Sequence, residues 1–280
     1  MRSRLFHSGS VENSSSRSGL RERGRTLSIL KSCIIAFGMY SKIPMPGVEW
    51  SEKNMRYSIC FFPLVGAVLG LLIFGFYTVC GLAGFGRAFL GAGVLTLSVL
   101  VTGGIHLDGY MDTMDALHSY QPMERKLEIL KDSHIGAFAV LMLIPYVLLT
   151  YGALTELQDQ RAWILYGCSF VWSRTLSGLS VVWFRGARKD GLLYSFSSTA
   201  HKRVVRLVLL LVLAVTAAVM AVVQPVLGGG MCVAGGLCFA YYRYKAYKEF
   251  GGVTGDLAGW FLACAELSML LVLVVLQRFI

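Results

Sequence analysis

The chain has 280 residues, of which 55% are apolar and only 15% charged, with a mean hydropathy of +0.61. A soluble domain carries about a quarter of its residues as charge, so this composition lacks the polar surface to cover a soluble fold and points to a polytopic all-α membrane bundle. The net charge of +10 argues no better for nucleic acid, because Lys and Arg lie between apolar runs without an aromatic–basic stacking pattern; that is the topological use of basic residues.

In chain order, residues 1–26 are rich in Ser and Arg and lack the apolar run of a cleavable signal, so they read as a disordered basic tail. A single transmembrane catalytic domain is expected over 27–280. The stretch 27–46 mixes Lys31 and Lys42 with apolar residues and ends in Pro44 and Pro46. It reads as an interfacial or re-entrant helix rather than a span. A spanning helix needs about 20 apolar residues; candidates are 58–80, 88–105, 135–155, 162–184, 204–227 and 257–276, with 231–242 a shorter seventh. Small residues inside these runs, such as Gly66, Gly70, Gly91, Gly93, Gly235 and Gly236, suit close helix packing. No internal repeat is visible.

With seven spans and the N-terminus in the cytosol, 21 of the 26 Lys and Arg residues fall on the inside and 3 on the outside, with Arg174 and Arg206 within spans. That asymmetry obeys the positive-inside rule. It predicts a multi-pass protein of the cell (inner) membrane whose long connections all face the cytoplasm. The seven cysteines are odd in number and lack CxxC spacing; they read as small apolar core residues.

The chemistry concentrates in Gly103-Gly104-Ile105-His106-Leu107-Asp108-Gly109-Tyr110-Met111-Asp112-Thr113-Met114-Asp115. Asp108, Asp112 and Asp115 are spaced i, i+4 and i+7, so on a helix they share one face within about 60°. Like charges on one stripe destabilise a helix, and a bound cation relieves the repulsion. Carboxylates without Cys suit a hard, oxygen-seeking ion such as Mg²⁺, which completes its shell with water and substrate phosphates. The glycines around the stripe suggest that something approaches the backbone closely. Downstream, Arg125 and Lys131 offer phosphate partners and Asp132 a further metal ligand. Gly251-Gly252-Val253-Thr254-Gly255-Asp256 is a glycine-rich turn opening a helix, an anion site, although Thr254 or Asp256 could equally cap that helix. Arg174 and Glu266 are intramembrane charges that face a site or pair with each other.

With these residues assembled, the sequence resembles the adenosylcobinamide-GDP ribazoletransferase (cobalamin synthase) family from Pro44 to the C-terminus. The resemblance is carried by Ser41–Pro46, Phe62–Gly66, the GGIHLDGYMDTMDAL segment, Leu127–Phe138 and GGVTGD, with Met111 and Ala116 as departures. It implies a phosphotransferase that joins α-ribazole or its 5′-phosphate to adenosylcobinamide-GDP and releases GMP, with Mg²⁺ as cofactor. For that reaction the residues themselves offer Asp108, Asp112 and Asp115 as the expected metal ligands, with Asp132 and Asp256 as further ones. Arg125, Lys131, Ser133, Arg174, Thr254 and Gly255 are the expected phosphate contacts, and His106, or an aspartate not committed to the metal, is the candidate base. Beyond its substrates and the lipid bilayer, a homo-oligomer or other corrinoid-pathway enzymes are compatible partners. A CDP-alcohol phosphotransferase is the alternative enzyme, but its DGxxAR pattern is absent; a cation-coupled transporter is the alternative of another class.

Overall fold

A computed structural model describes residues 27–280; the tail expected over 1–26 lies outside them. The described chain is helical: α1 (Leu27–Tyr40), α2 (Glu52–Met55), a 3₁₀ turn (Ser58–Phe61), α3 (Phe62–Leu82), α4 (Arg87–Thr102), α5 (Ile105–His118), α6 (Met123–Ile129), α7 (Ala137–Thr155), α8 (Gln160–Trp183), α9 (Gly191–Thr199), α10 (Lys202–Val223), α11 (Pro225–Phe250) and α12 (Gly255–Leu276). Among the described residues the sole β feature is a parallel bridge between Gly186 and Val253.

Five of these helices, α3, α7, α10, α11 and α12, are long and apolar enough to cross a bilayer; α4 reaches that standard only when counted together with α5, and a 94° bend separates the two. That gives five or six candidate spans among the described residues against the seven expected; α8 fills the run 162–184 but is not apolar enough to count by composition. Its 24 residues reach about 36 Å, but its surface is only moderately apolar because the other helices surround it. From Ser169 to Val182 every residue but Val171 is buried. Its hydroxyls satisfy themselves on its own backbone, as in Ser169 to Tyr166 and Thr175 to Val171.

Glycines set the closest crossings. A Cβ on Gly70 would stand 2.7 Å from the Gly167 carbonyl, and one on Gly66 would collide with that of Phe170, so α3 lies backbone to backbone on α8. Gly235 likewise seats the Trp172 indole, whereas Gly236 faces open space.

One boundary differs from the expectation. The run 231–242 is the middle of a full 26-residue span, α11. It starts at Pro225 because proline cannot continue α10 but is favoured at a first helical position, and Gln224 between them is extended and caps the new helix with its side chain. The segment 27–46 contains α1, too short to span. Its serines tie it down, Ser28 donating to the Lys53 carbonyl at 3.0 Å and Ser32 to that of Asn54 at 2.5 Å. Lys42 N–H then donates to Val101 at the end of α4.

Candidate active site

The sharpest feature of the backbone is the 94° bend between α4 and α5. Two consecutive residues there are left-handed, Gly103 at φ 66° and Gly104 at φ 75°, a conformation that costs any residue with a Cβ. The glycine pair in the sequence therefore serves the turn. It releases α5 from the end of the span to lie across the rim of the bundle.

Helix α5 carries Asp108, Asp112 and Asp115 on unbroken helical spacing, so the predicted stripe exists. What approaches its glycine is another helix. A Cβ on Gly109 would stand 2.7 Å from the Asp256 carbonyl, and one on Gly259 3.0 Å from that of His106. The bare crossing sets the first turn of α12 directly on α5 and adds Asp256 to the acids.

The cluster is electrostatically loaded. Burial first, then the charges of Asp108, Asp256 and Asp115 in falling order, push the Asp112 carboxyl up to about 7. Among the described residues none of the four aspartates forms an ion pair. They form a line rather than a knot: Asp108 opens to a cavity, Asp112 is half-buried, and the Asp115 carboxylate lies against Gly136 at the start of α7. No three acidic, His or Cys side chains among the described residues are drawn together at metal-ligand spacing. The donor chemistry nevertheless fits a hard divalent cation, since unpaired carboxylates repel one another until one is protonated or a cation joins them.

A cavity of about 470 Å³ opens beside Asp108. Six of the predicted residues line it: His106, Asp108, Lys131, Thr254, Gly255 and Asp256. His106 presents a buried Nε2 with no hydrogen-bond partner, its ring 6.3 Å from Tyr40 and 5.9 Å from Phe62. Burial and the nearby Arg174 charge hold this imidazole well below the usual histidine range, so it is neutral. Thr254 caps α12, accepting from Leu257 N–H at 3.2 Å. Of the glycines in its turn, Gly251 terminates α11 at φ 73° and Gly252 packs on the 185–187 backbone, which leaves Gly255 free beside the cavity.

Four predicted residues stand elsewhere. Arg174 is buried and meets Glu266 at 2.6 Å, with Ser173 on the same carboxylate oxygen at 2.8 Å. The expected phosphate contact is thus an interior ion pair. Arg125 is exposed on α6 and pairs with Glu128 at 2.5 Å. Asp132 is exposed and binds the backbone and ring of His134 rather than joining the other acids. Ser133 is exposed with no side-chain partner among the described residues.

The reading of the sequence missed Arg188. It lines the cavity, hydrogen-bonds the Leu127 carbonyl and opposes the charge of Asp256. Beside it, Lys131 pairs with Asp190 at 3.5 Å. The signal was the charged run Arg185 to Asp190, read only for topology.

The sequence model described as cobalamin-5-phosphate synthase matches residues 32–274. The chain is 45% identical over 248 residues to the adenosylcobinamide-GDP ribazoletransferase of Lachnoclostridium phytofermentans, covering 89% of this chain and 95% of that protein. It is 32% identical to the enzyme of the same name from Geobacillus thermodenitrificans, over 81% and 88% of the two chains, and 28% identical to that from Clostridium botulinum, over 85% and 95%. No solved structure matches.

Proposed function

Because the chain belongs to the cobalamin-5-phosphate synthase family, we propose that it joins α-ribazole, or its 5′-phosphate, to adenosylcobinamide-GDP with release of GMP. The observation that carries this reading is the meeting of α5 and α12, where unpaired acids border a cavity that also holds two cations and a neutral imidazole. Phosphoryl transfer needs in-line positioning and neutralised charge more than covalent help from the protein.

An acceptor hydroxyl attacks the phosphorus on the corrinoid side of the pyrophosphate. A new P–O bond forms, the bond to the bridging oxygen breaks, and GMP departs. Lys131 and Arg188 are the cations placed to meet pyrophosphate oxygens, with the Gly255 backbone beside them. His106 Nε2 lacks a partner and can take the hydroxyl proton. Tyr40, Phe62 and Phe196 give the cavity an aromatic wall. Mg²⁺ is the cofactor of this proposal; Asp108, Asp112, Asp115 and Asp256 would hold it, and it would supply charge neutralisation to the pyrophosphate. We place these residues and the N-terminus on the cytoplasmic face of the cell (inner) membrane, from the 21-to-3 distribution of basic residues.

The alternative activities draw no support. The family match is to a cobalamin synthase, and the intramembrane charges a transporter relay would use, Arg174 and Glu266, neutralise each other. The test is GMP release by purified protein from adenosylcobinamide-GDP and α-ribazole with Mg²⁺. Turnover without any ion gradient, abolished by chelator and restored by Mg²⁺, is the expected result; chelator-resistant turnover would remove the metal, and absence of product would remove the activity.

A further inference from the structure

A second cavity, of about 340 Å³, lies at the other end of α5. Helix α5 gives it Met114, Leu117 and His118, a face turned away from the aspartate stripe, so it is not an extension of the candidate active site. His118, whose Nδ1 lies 2.8 Å from the Met114 carbonyl, and Tyr120 just beyond α5 add polar edges, and the remaining polar groups come from three other helices: Lys126 of α6, Tyr241, Lys245 and Glu249 of α11, and Trp260 of α12. Two cations face one carboxylate here, Lys126 at 2.6 Å from Glu249 and Lys245 at 3.7 Å, which leaves one positive charge in excess. The Trp260 indole, only 4% exposed, lines the same cavity, and its Nε1–H has no hydrogen-bond partner. A buried donor without an acceptor is costly. Beside an excess cation it marks the place of an anionic acceptor.

The surroundings identify the source of that anion. Val233, Leu237, Tyr241 and Tyr244 are spaced along one face of the spanning helix α11, and all are at least half exposed. This apolar stripe runs up to the cavity and ends at Lys245, whose ammonium lies 6.0 Å over the Tyr241 ring. An apolar track along a span that leads to a cationic, hydrogen-bond-donating pocket is complementary to a molecule with acyl chains and a phosphate head. We propose that this cavity binds the headgroup of an anionic phospholipid, with Lys245 and Trp260 Nε1–H on the phosphate and the acyl chains along the α11 stripe.

The test uses the full chain, purified in neutral detergent and offered equal phosphatidylglycerol and phosphatidylcholine, with the retained lipid read by native mass spectrometry. Phosphatidylglycerol should be retained preferentially. Trp260→Phe keeps the ring and removes the donor, so retention should fall about fivefold; Lys245→Gln should lower it further. Equal retention of the two lipids, or wild-type retention by both variants, would overturn the proposal. So would displacement of the lipid by inorganic phosphate, which would assign the pocket to a soluble phosphate. The readout is bound lipid, so it stands or falls separately from turnover.

Discussion

Helix α12 carries a carboxylate at each of two depths, and the fold treats them in opposite ways. Glu266, within the bundle, is matched by Arg174 at 2.6 Å and by Ser173. Asp256, at the first turn, is set among Asp108, Asp112 and Asp115 without an ion pair. Inside the apolar layer a charge persists when neutralised locally; at the rim, the acids have no ion-pair partner among the described residues, and the proposed function supplies one from outside the chain. The interior pair is therefore read as architecture and the rim cluster as function.

The largest expected effect sharpens this contrast. Asp112→Asn should lower turnover by at least ~10³-fold, about 4 kcal/mol of transition-state stabilisation, while the thermal unfolding temperature of the metal-free protein holds or rises as repulsion is relieved. Glu266→Gln should do the reverse in kind. It leaves the buried Arg174 without its charge partner and should destabilise the protein by about 3–5 kcal/mol, so activity is lost with the fold. If Glu266→Gln unfolds like wild type and loses turnover, the interior pair is functional and the division fails.

A smaller change tests the crossing itself. Gly109→Ala places a Cβ 2.7 Å from the Asp256 carbonyl, an overpacking worth about 1–3 kcal/mol. The two helices must part, and Asp256 must leave the stripe. Apparent Mg²⁺ affinity should fall more than unfolding temperature; an unchanged affinity would remove Asp256 from the metal set.

Proton competition is smaller again. With the Asp112 carboxyl at about 7 against the usual 3.8, the metal-free fold holds a proton that the unfolded chain has lost between those two values. Stability of the metal-free protein should accordingly decline as pH rises from about 4 to about 7 and level off above. Asp112→Asn should not show that part of the decline. Metal binding must displace the same proton, so apparent Mg²⁺ affinity should drop about tenfold per unit below pH 7. Titration of wild type and variant by calorimetry at pH 6 and 8 separates the two trends.

The stripe and the all-helical, many-span architecture were legible in the sequence because both are periodicities, three aspartates at helical spacing and apolar runs of spanning length. The partner of the stripe was less so. Asp256 stands 141 positions beyond Asp115, and its arrival depends on two glycines, Gly109 and Gly259, whose role is visible only once two helices cross. The glycines read as room for a ligand are a 94° turn and a helix crossing. For Arg174 the sequence left a phosphate contact and a pair with Glu266 both open, because chain position gives no depth relative to the cavity, and the pair is what forms. Arg188 was overlooked because one property of its loop, net charge, already had an explanation.

Arg125 supplies the smallest effect and the control for all the others. It shares the α6 region with Lys131 and fits the same motif-level argument, yet it points outward, and both it and Glu128 are more than 60% exposed in their side chains. An exposed pair of this kind contributes about 0–1 kcal/mol. Arg125→Ala should leave kcat within about twofold of wild type and the unfolding temperature nearly unchanged. Arg188→Gln and Lys131→Gln, which change the cavity wall, should raise KM for the pyrophosphate substrate. If Arg125→Ala matches them, the phosphate extends across α6 beyond the cavity, and it is the division between lining and surface cations, rather than the location of the acids, that has to be redrawn.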